Sequence, residues 1–254
     1  MIIYLGGCNR PPLFEVISDD IWNRVNGLLS FELLKKGDAE NIPRMRRFML
    51  DSGAFSFIIR KLKSKNENKE INWDEYLDNY CEFIKQNKVD QFFELDVDFL
   101  VGYDKVKEFR KQIIQKTERL PIPVWHISRG KKDFEEMCDE FPYVALGGMI
   151  SKENNTSVDL ELMVWLVNEA HKRGTKIHGL GFTKTPLLPY IHFDSVDSTS
   201  YLQSAVRGGL VYMDENNELR CLKVRRSLDL SDRDFVVNNF LEWTKYCKYA
   251  ESHF

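Results

Sequence analysis

The chain has 254 residues, 43% of them hydrophobic and 30% charged, with a formal net charge of −3. That length suits one large domain with a substantial core. The charge balance excludes a protein that coats nucleic acid indiscriminately, because such binding rests on many Lys and Arg contacts to phosphate. The five cysteines, Cys8, Cys81, Cys138, Cys221 and Cys247, are scattered without CxxC pairing or His/Cys clusters. The expectation is therefore no metal, no cofactor and no disulfide framework.

The opening MIIYLGG reads as a first strand rather than a secretion signal, since it has no basic start and no long apolar core. No stretch is long enough to span a membrane, so the expected compartment is a reducing cytoplasm. Short apolar runs then alternate with longer amphipathic ones. They predict strands at 2–6, 46–50, 91–96, 122–127, 142–146, 175–180 and 192–196. Helices are expected over Trp73 to Gln86, with Tyr76, Leu77, Tyr80, Phe83 and Ile84 at helical spacing, and over Leu160 to Lys172, which Gly174 bounds. GLVYM or ELRCLKV supplies an eighth strand, and Leu230 to Ala250 reads as terminal helices packed outside. The predicted fold is α/β, a TIM-like (β/α)8 barrel forming a single domain over residues 1–254 with C-terminal helices. A doubly wound open sheet has the same local grammar, but acids that end strands all along the chain favour the barrel.

Those acids are the main chemical signal. Asp51 in MLDSGAFSF and Asp197 in HFDSVDSTSY each end an apolar run and are followed by small residues, and Asp96 and Asp98 close the run QFFELDVDF. Strands ending in acid deliver carboxylates to the mouth of a parallel barrel. Asp194 competes with Asp197 for the inward role, alternation placing both on one face. Each of these acids also has a plain alternative as a helix N-cap or an ion-pair partner. Ser52 and Gly53 leave space beside Asp51 for a flat ligand. Gly147 and Gly148 after YVAL, and Gly181 in HGLGF, open backbone groups to a ligand edge or simply make turns. His126 in PVWHISRG ends the fourth strand as a pocket hydrogen-bond donor or a satisfied core histidine, while His178 and His192 lack metal-ligand spacing. Short basic groups that include Arg60 and Lys61, Arg129 and Lys131, and Arg225 and Arg226 suit contacts to a nucleic-acid backbone around an acidic pocket, or solvated loops.

Taken in order, these segments resemble the tRNA-guanine transglycosylase superfamily, which exchanges guanine for a 7-deazaguanine base in a polynucleotide. MLDSGAF is similar to that family's DSGGFQ segment, ELDVD to its FDE segment, VALGGM to its GGL segment, and SVDSTSY with AVRGG to the FDC region that holds its nucleophile. The match runs from about Arg47 to Gly209 and is carried by the set rather than by any one motif. It implies Asp197 as nucleophile, Asp51 as the proton-transfer carboxylate, Asp96 as the acid that reads the guanine edge, and Gly147 and Gly148 as backbone contacts to the base. The family's CxCxxC…H zinc site is absent, DSGAFS replaces DSGGFQ, Ser198 stands at the Cys position, and no LPTR follows. These departures point from tRNA towards the compact, zinc-less branch that places 7-deazaguanine derivatives into phage or bacterial DNA.

The partners this implies are DNA, with tRNA as the alternative, a free 7-deazaguanine base, and the partner proteins of a DNA-modification system, in a host cytoplasm if the protein is phage-encoded. Base exchange passes through an oxocarbenium-like centre that a carboxylate can trap, while a second acid handles protons on the base. In duplex DNA the target must leave the stack, where Phe55 is placed to stack on it. The rival functions are a glycoside or nucleoside hydrolase using the same two carboxylates, and a non-catalytic nucleic-acid-binding barrel.

Overall fold

The computed structural model describes residues 1–54, 56–57, 71–147, 160–182, 184–224 and 231–254. Seven parallel strands lie in the order β3-β2-β1-β7-β6-β5-β4: β1 Ile2–Gly6, β2 Asn26–Ser30, β3 Arg47–Asp51, β4 Val124–Trp125, β5 Tyr143–Leu146, β6 Lys176–Gly179 and β7 Ser195–Ser198. The two edges of this sheet are joined through Phe92 and Phe93, which bridge in parallel to Leu50 of β3 and to Ile122 just before β4. Four backbone hydrogen bonds make the join, among them Leu50 N–H to Gln91 O at 3.0 Å and Ile122 N–H to Phe92 O at 2.8 Å. The ring of strands closes, and the fold is a parallel α/β barrel.

Two expectations about the strands are corrected. The eighth stave is β2, which begins with Asn26-Gly27 and so reads as a turn, while the strand expected at 91–96 is reduced to the 92–93 bridge. GLVYM and ELRCLKV instead form an antiparallel hairpin outside the ring, β8 Gly209–Met213 with β9 Leu219–Lys223.

Alternation along the strands sorts the side chains into two layers. Tyr4, Leu28, Met49, Phe93, Ile122, Val124 and Ala145 form an inner cluster. Ile3, Leu5, Leu29, Trp125, Val144, Leu146, Ile177 and Val196 belong to the cluster that packs against the helices. Helices Trp73–Gln86 and Leu160–Lys172 have the predicted bounds, and the first buries Leu77, Tyr80, Cys81 and Ile84 along one stripe. The crossovers before β2 and β3 carry only the short helices Pro11–Val16 and Asp19–Trp22 and 3₁₀ turns. The outer face of β1 is covered instead by the C-terminal helix Asp232–His253, through Phe240, Trp243, Tyr246 and Ala250. A Ser231/Asp234 capping box starts that helix. At the foot of the barrel Glu251 accepts bonds from Arg46 (2.5 Å) and Arg47 (2.9 Å), and the Met1 amino group reaches the Phe254 carbonyl.

Glu94 completes the closure. One carboxylate oxygen accepts the Val124 N–H at 2.7 Å and the other the Arg110 Nε–H at 2.6 Å from helix Tyr103–Thr117. The pair is almost fully buried, and the side chain replaces ladder bonds that the two-residue bridge cannot make. This fixes the exit direction of the segment carrying Asp96 and Asp98.

Candidate active site

The C-terminal ends of the strands bring Asp51, Asp96 and Asp197 into one electrostatic neighbourhood. Asp51 pairs with Ser30 in the β2–β3 register, and its Oδ2 accepts the Gly53 N–H at 3.1 Å. Burial lifts its carboxyl from 3.8 to about 6; the charges of Asp197 and Asp96 add to the rise, and Gly53 N–H and the Ser30 hydroxyl oppose it.

Asp197 lies on β7, 8% exposed. Its Oδ1 accepts the Gly181 N–H at 2.6 Å and lies 3.3 Å from His178 Nε2, while among the described residues Oδ2 takes no hydrogen bond. Gly181 has a φ of +61°, which turns its N–H onto the carboxylate, so this glycine serves Asp197 rather than a ligand edge. Thr199, not Asp197, is the N-cap of the following helix, Ser200–Val206.

Asp194 is not an alternative to Asp197. They are three positions apart, so alternation puts them on opposite faces, and Asp194 Oδ2 accepts the Ile177 N–H at 2.8 Å and meets His171 Nε2 at 2.9 Å just before β7 begins. It closes the foot of the sheet and is absent from the mouth.

His126 meets Asp96 through Nε2 to Oδ1 at 2.7 Å and stands 4.0 Å from Asp98. Burial alone would lower the imidazole pKa, but the bond to Asp96 and the charges of Asp96 and Asp98 prevail and raise it. The ring fits because position 147 is glycine: a Cβ there would fall 2.6 Å from His126 Cε1 and 2.7 Å from Val124 Cγ1. The Gly147 N–H itself donates to Trp125 O at 2.9 Å, so the expected backbone contact to a base is corrected to one of close packing. Gly147→Ala is expected to push His126 off Asp96, at a cost of about 1–3 kcal/mol in stability. In an NMR titration of the imidazole, His126 then loses its elevated pKa and moves back towards the ordinary histidine value.

Asp96, Asp98 and His126 offer ligand atoms within 4.8 Å of one another, the one such group among the described residues. A cation there would have to displace His126 from Asp96 and compete with Arg129, whose Nε is 3.9 Å from Asp98. Arg129, expected on a nucleic-acid backbone, has a side chain only 10% exposed, lies 4.1 Å over the Tyr103 ring and donates to Val124 O. Lys131 rests 4.1 Å over Trp165. Ser52 is buried, and its carbonyl takes the Tyr76 hydroxyl at 2.7 Å. Phe55, Arg60, Lys61, Gly148, Arg225 and Arg226 lie outside the described residues. Two surface hollows, of about 210 Å³ beside Ala39 and Lys88 and about 250 Å³ beside Pro12 and Val206, contain none of the site carboxylates.

Ser195 and Tyr143 escaped the sequence reading, which weighed His178 only as a metal ligand. His178, Ser195 and Tyr143 form a buried chain beneath Asp197, and only the β6–β7 register, which pairs His178 with Ser195, reveals it.

The ring of strands and its acidic mouth define an α/β barrel with a carboxylate site at the C-terminal ends of its strands. No family model matches the chain, and no curated protein matches it. Among solved structures, one described as the copper homeostasis protein CutC of Streptococcus agalactiae has a TM-score of 0.48 at 16% identity, over 78% of this chain and 99% of that one. A GH113 β-1,4-mannanase gives 0.43 at 10% identity, over 95% and 83%. The nitroalkane oxidase of Streptomyces ansochromogenes gives 0.39 at 10%, over 92% and 83%. Similarities at this level carry no functional argument, and the fold rests on the strand order and closure described above.

Proposed function

We propose that this chain is a nucleic-acid guanine transglycosylase that exchanges guanine in DNA for a 7-deazaguanine base through a covalent glycosyl intermediate on Asp197. The observation that carries the reading is Asp51, a carboxyl raised to about 6 by burial and by the charges of Asp197 and Asp96. A general acid and base that must give up and regain one proton near neutrality needs that pKa.

Asp197 Oδ2 attacks C1′ of the sugar as the glycosidic C–N bond breaks, and the bonding pair leaves on the purine with a proton from Asp51. The incoming base then gives its N–H proton to the Asp51 carboxylate and attacks C1′, which releases Asp197. Asp96, braced on Oδ1 by His126, presents Oδ2 to the donor edge of guanine. Adenine lacks that pair of donors and would leave Oδ2 without a partner, a penalty of about 1–3 kcal/mol. DNA is favoured over tRNA by the absence of the CxCxxC…H motif from the sequence.

Incubation with labelled guanine and, in parallel, single-stranded DNA, duplex DNA and tRNA tests the reading. Label entering DNA supports it, and label entering tRNA alone replaces the substrate. Release of guanine with no incorporation identifies a hydrolase, and no turnover on any polymer removes the enzymatic reading.

A further inference from the structure

We infer that Tyr143, Ser195 and His178 form a buried hydrogen-bond relay that holds His178 as the Nε2–H tautomer and thereby fixes Asp197, with Oδ2 left free to react; this rests on the reading of Asp197 as nucleophile. His178 is fully buried on β6. Its Nδ1 meets Ser195 Oγ, Ser195 Oγ meets the Tyr143 hydroxyl at 2.5 Å, and its Nε2 faces Asp197 Oδ1 at 3.3 Å. The flanks of the ring are aromatic, with the Phe93 centroid at 5.2 Å and Tyr4 at 6.2 Å.

Hydrogen-bond direction selects the tautomer. The carboxylate oxygen of Asp197 only accepts, so Nε2 must carry the hydrogen that points at it. Nδ1 is then an acceptor, Ser195 donates to it, and the Tyr143 hydroxyl donates to Ser195. Every hydrogen in the chain has a recipient. In the reverse direction Nδ1–H donates to Ser195, Ser195 donates to Tyr143, and the phenol hydrogen is left without an acceptor among the described residues, an unfavourable end for a buried donor.

Asp197 Oδ1 therefore has two fixed donors, the His178 Nε2–H on β6 and the Gly181 N–H in the turn that follows it. Two bonds on one oxygen define the plane of the carboxylate and hence the position of the other oxygen. His178 is a positioning residue, and Ser195 and Tyr143 act through it. Tyr143 and Ser195 both lie at the start of their strands, Ser195 two residues below Asp197 and Tyr143 lower still, since Ala145 is the residue level with His178 and Ser195. Among the described residues, the hydrogen bonds of the Tyr143 and Ser195 hydroxyls lead towards Asp197 through the histidine.

The test measures the rate of covalent adduct formation and, separately, the affinity for the DNA that serves as substrate. Tyr143→Phe and Ser195→Ala are expected to slow adduct formation by about 10-fold, and His178→Phe by about 100-fold, the scale of a misplaced reacting group. DNA affinity stays within about twofold of wild type, since none of these groups contacts the polymer. His178→Gln, whose amide Nε2–H can still donate to Asp197, recovers part of the loss seen with His178→Phe. Because His178→Phe risks misfolding, long-range ¹⁵N NMR of the wild-type imidazole provides the second measurement, with a protonated Nε2 and a hydrogen-bonded Nδ1 expected. Wild-type adduct rates in folded Tyr143→Phe and Ser195→Ala variants, or an Nδ1–H tautomer, overturn the relay. A wild type that forms no adduct on any polymer sinks the transferase reading instead, and the NMR result still decides the tautomer.

Discussion

Asp197→Asn is expected to abolish the covalent adduct and lower base exchange by about 10⁴-fold or more, the scale on which loss of a nucleophile is felt. The fold should tolerate the change. Both hydrogen bonds to Asp197 fall on Oδ1, and the amide retains an oxygen that the Gly181 N–H and His178 Nε2–H can reach. The atom altered is the one to which the proposed function assigns the attack. Denaturing gels with labelled DNA read the adduct, thermal melting reads the fold, and filter binding reads the affinity, which should stay near wild type. Exchange that persists in a folded Asp197→Asn protein would remove Asp197 from the chemistry.

Asp51→Asn is expected to separate stability from activity, and to do so with pH. A carboxyl lifted from 3.8 to about 6 costs about 3 kcal/mol more to ionise in the folded chain than in the unfolded one. Below about pH 4 both states hold the proton and there is no penalty. Between 4 and 6 the unfolded state has lost it while the folded state keeps it, so stability falls as pH rises, and above about 6 the penalty is complete. Asparagine carries no charge and escapes it. Denaturant unfolding should find Asp51→Asn more stable than wild type by up to about 3 kcal/mol at pH 8 and no more stable at pH 4. Adduct formation should fall by about 10²–10⁴-fold, because no acid remains to protonate the departing base. In wild type the same step should decline above about pH 6 as Asp51 ionises, and the variant should lose that limb. A variant less stable at pH 8 than wild type would contradict the strained carboxylate.

Much of this was legible in the chain, for physical reasons that differ from element to element. Helices Trp73–Gln86 and Leu160–Lys172 were bounded because amphipathic spacing over three or more turns is a strong signal. That Asp51 and Asp197 sit near the ends of their strands was legible because an apolar run that stops at an acid is rare enough to notice. β2 was missed because five residues beginning Asn-Gly carry turn chemistry, and only the parallel ladders to β1 and β3 make them a strand. GLVYM and ELRCLKV read as alternatives for one strand and both are strands, but periodicity cannot say which sheet a strand joins. Asp194 was given the wrong face, an error of one position that reverses every side chain along a strand. The partnership of Asp197 with His178 across 19 residues depends on register, which no local pattern encodes. The same holds for Arg129, drawn under Tyr103 by its ring and by Asp98, where the sequence suggests an outward-facing cation.

The cover over β1 has a consequence for how the molecule is made. β1 presents Ile3 and Leu5 to a helix that is synthesised only after all seven strands of the ring. Until residues beyond 231 emerge, a nascent chain carries an open apolar stave, the kind of surface that chaperones bind and that aggregates at high concentration. A stop codon just before Ser231 should therefore remove no part of the acidic mouth and still yield insoluble protein, whereas the missing helix supplied as a separate peptide has a ready-made seat.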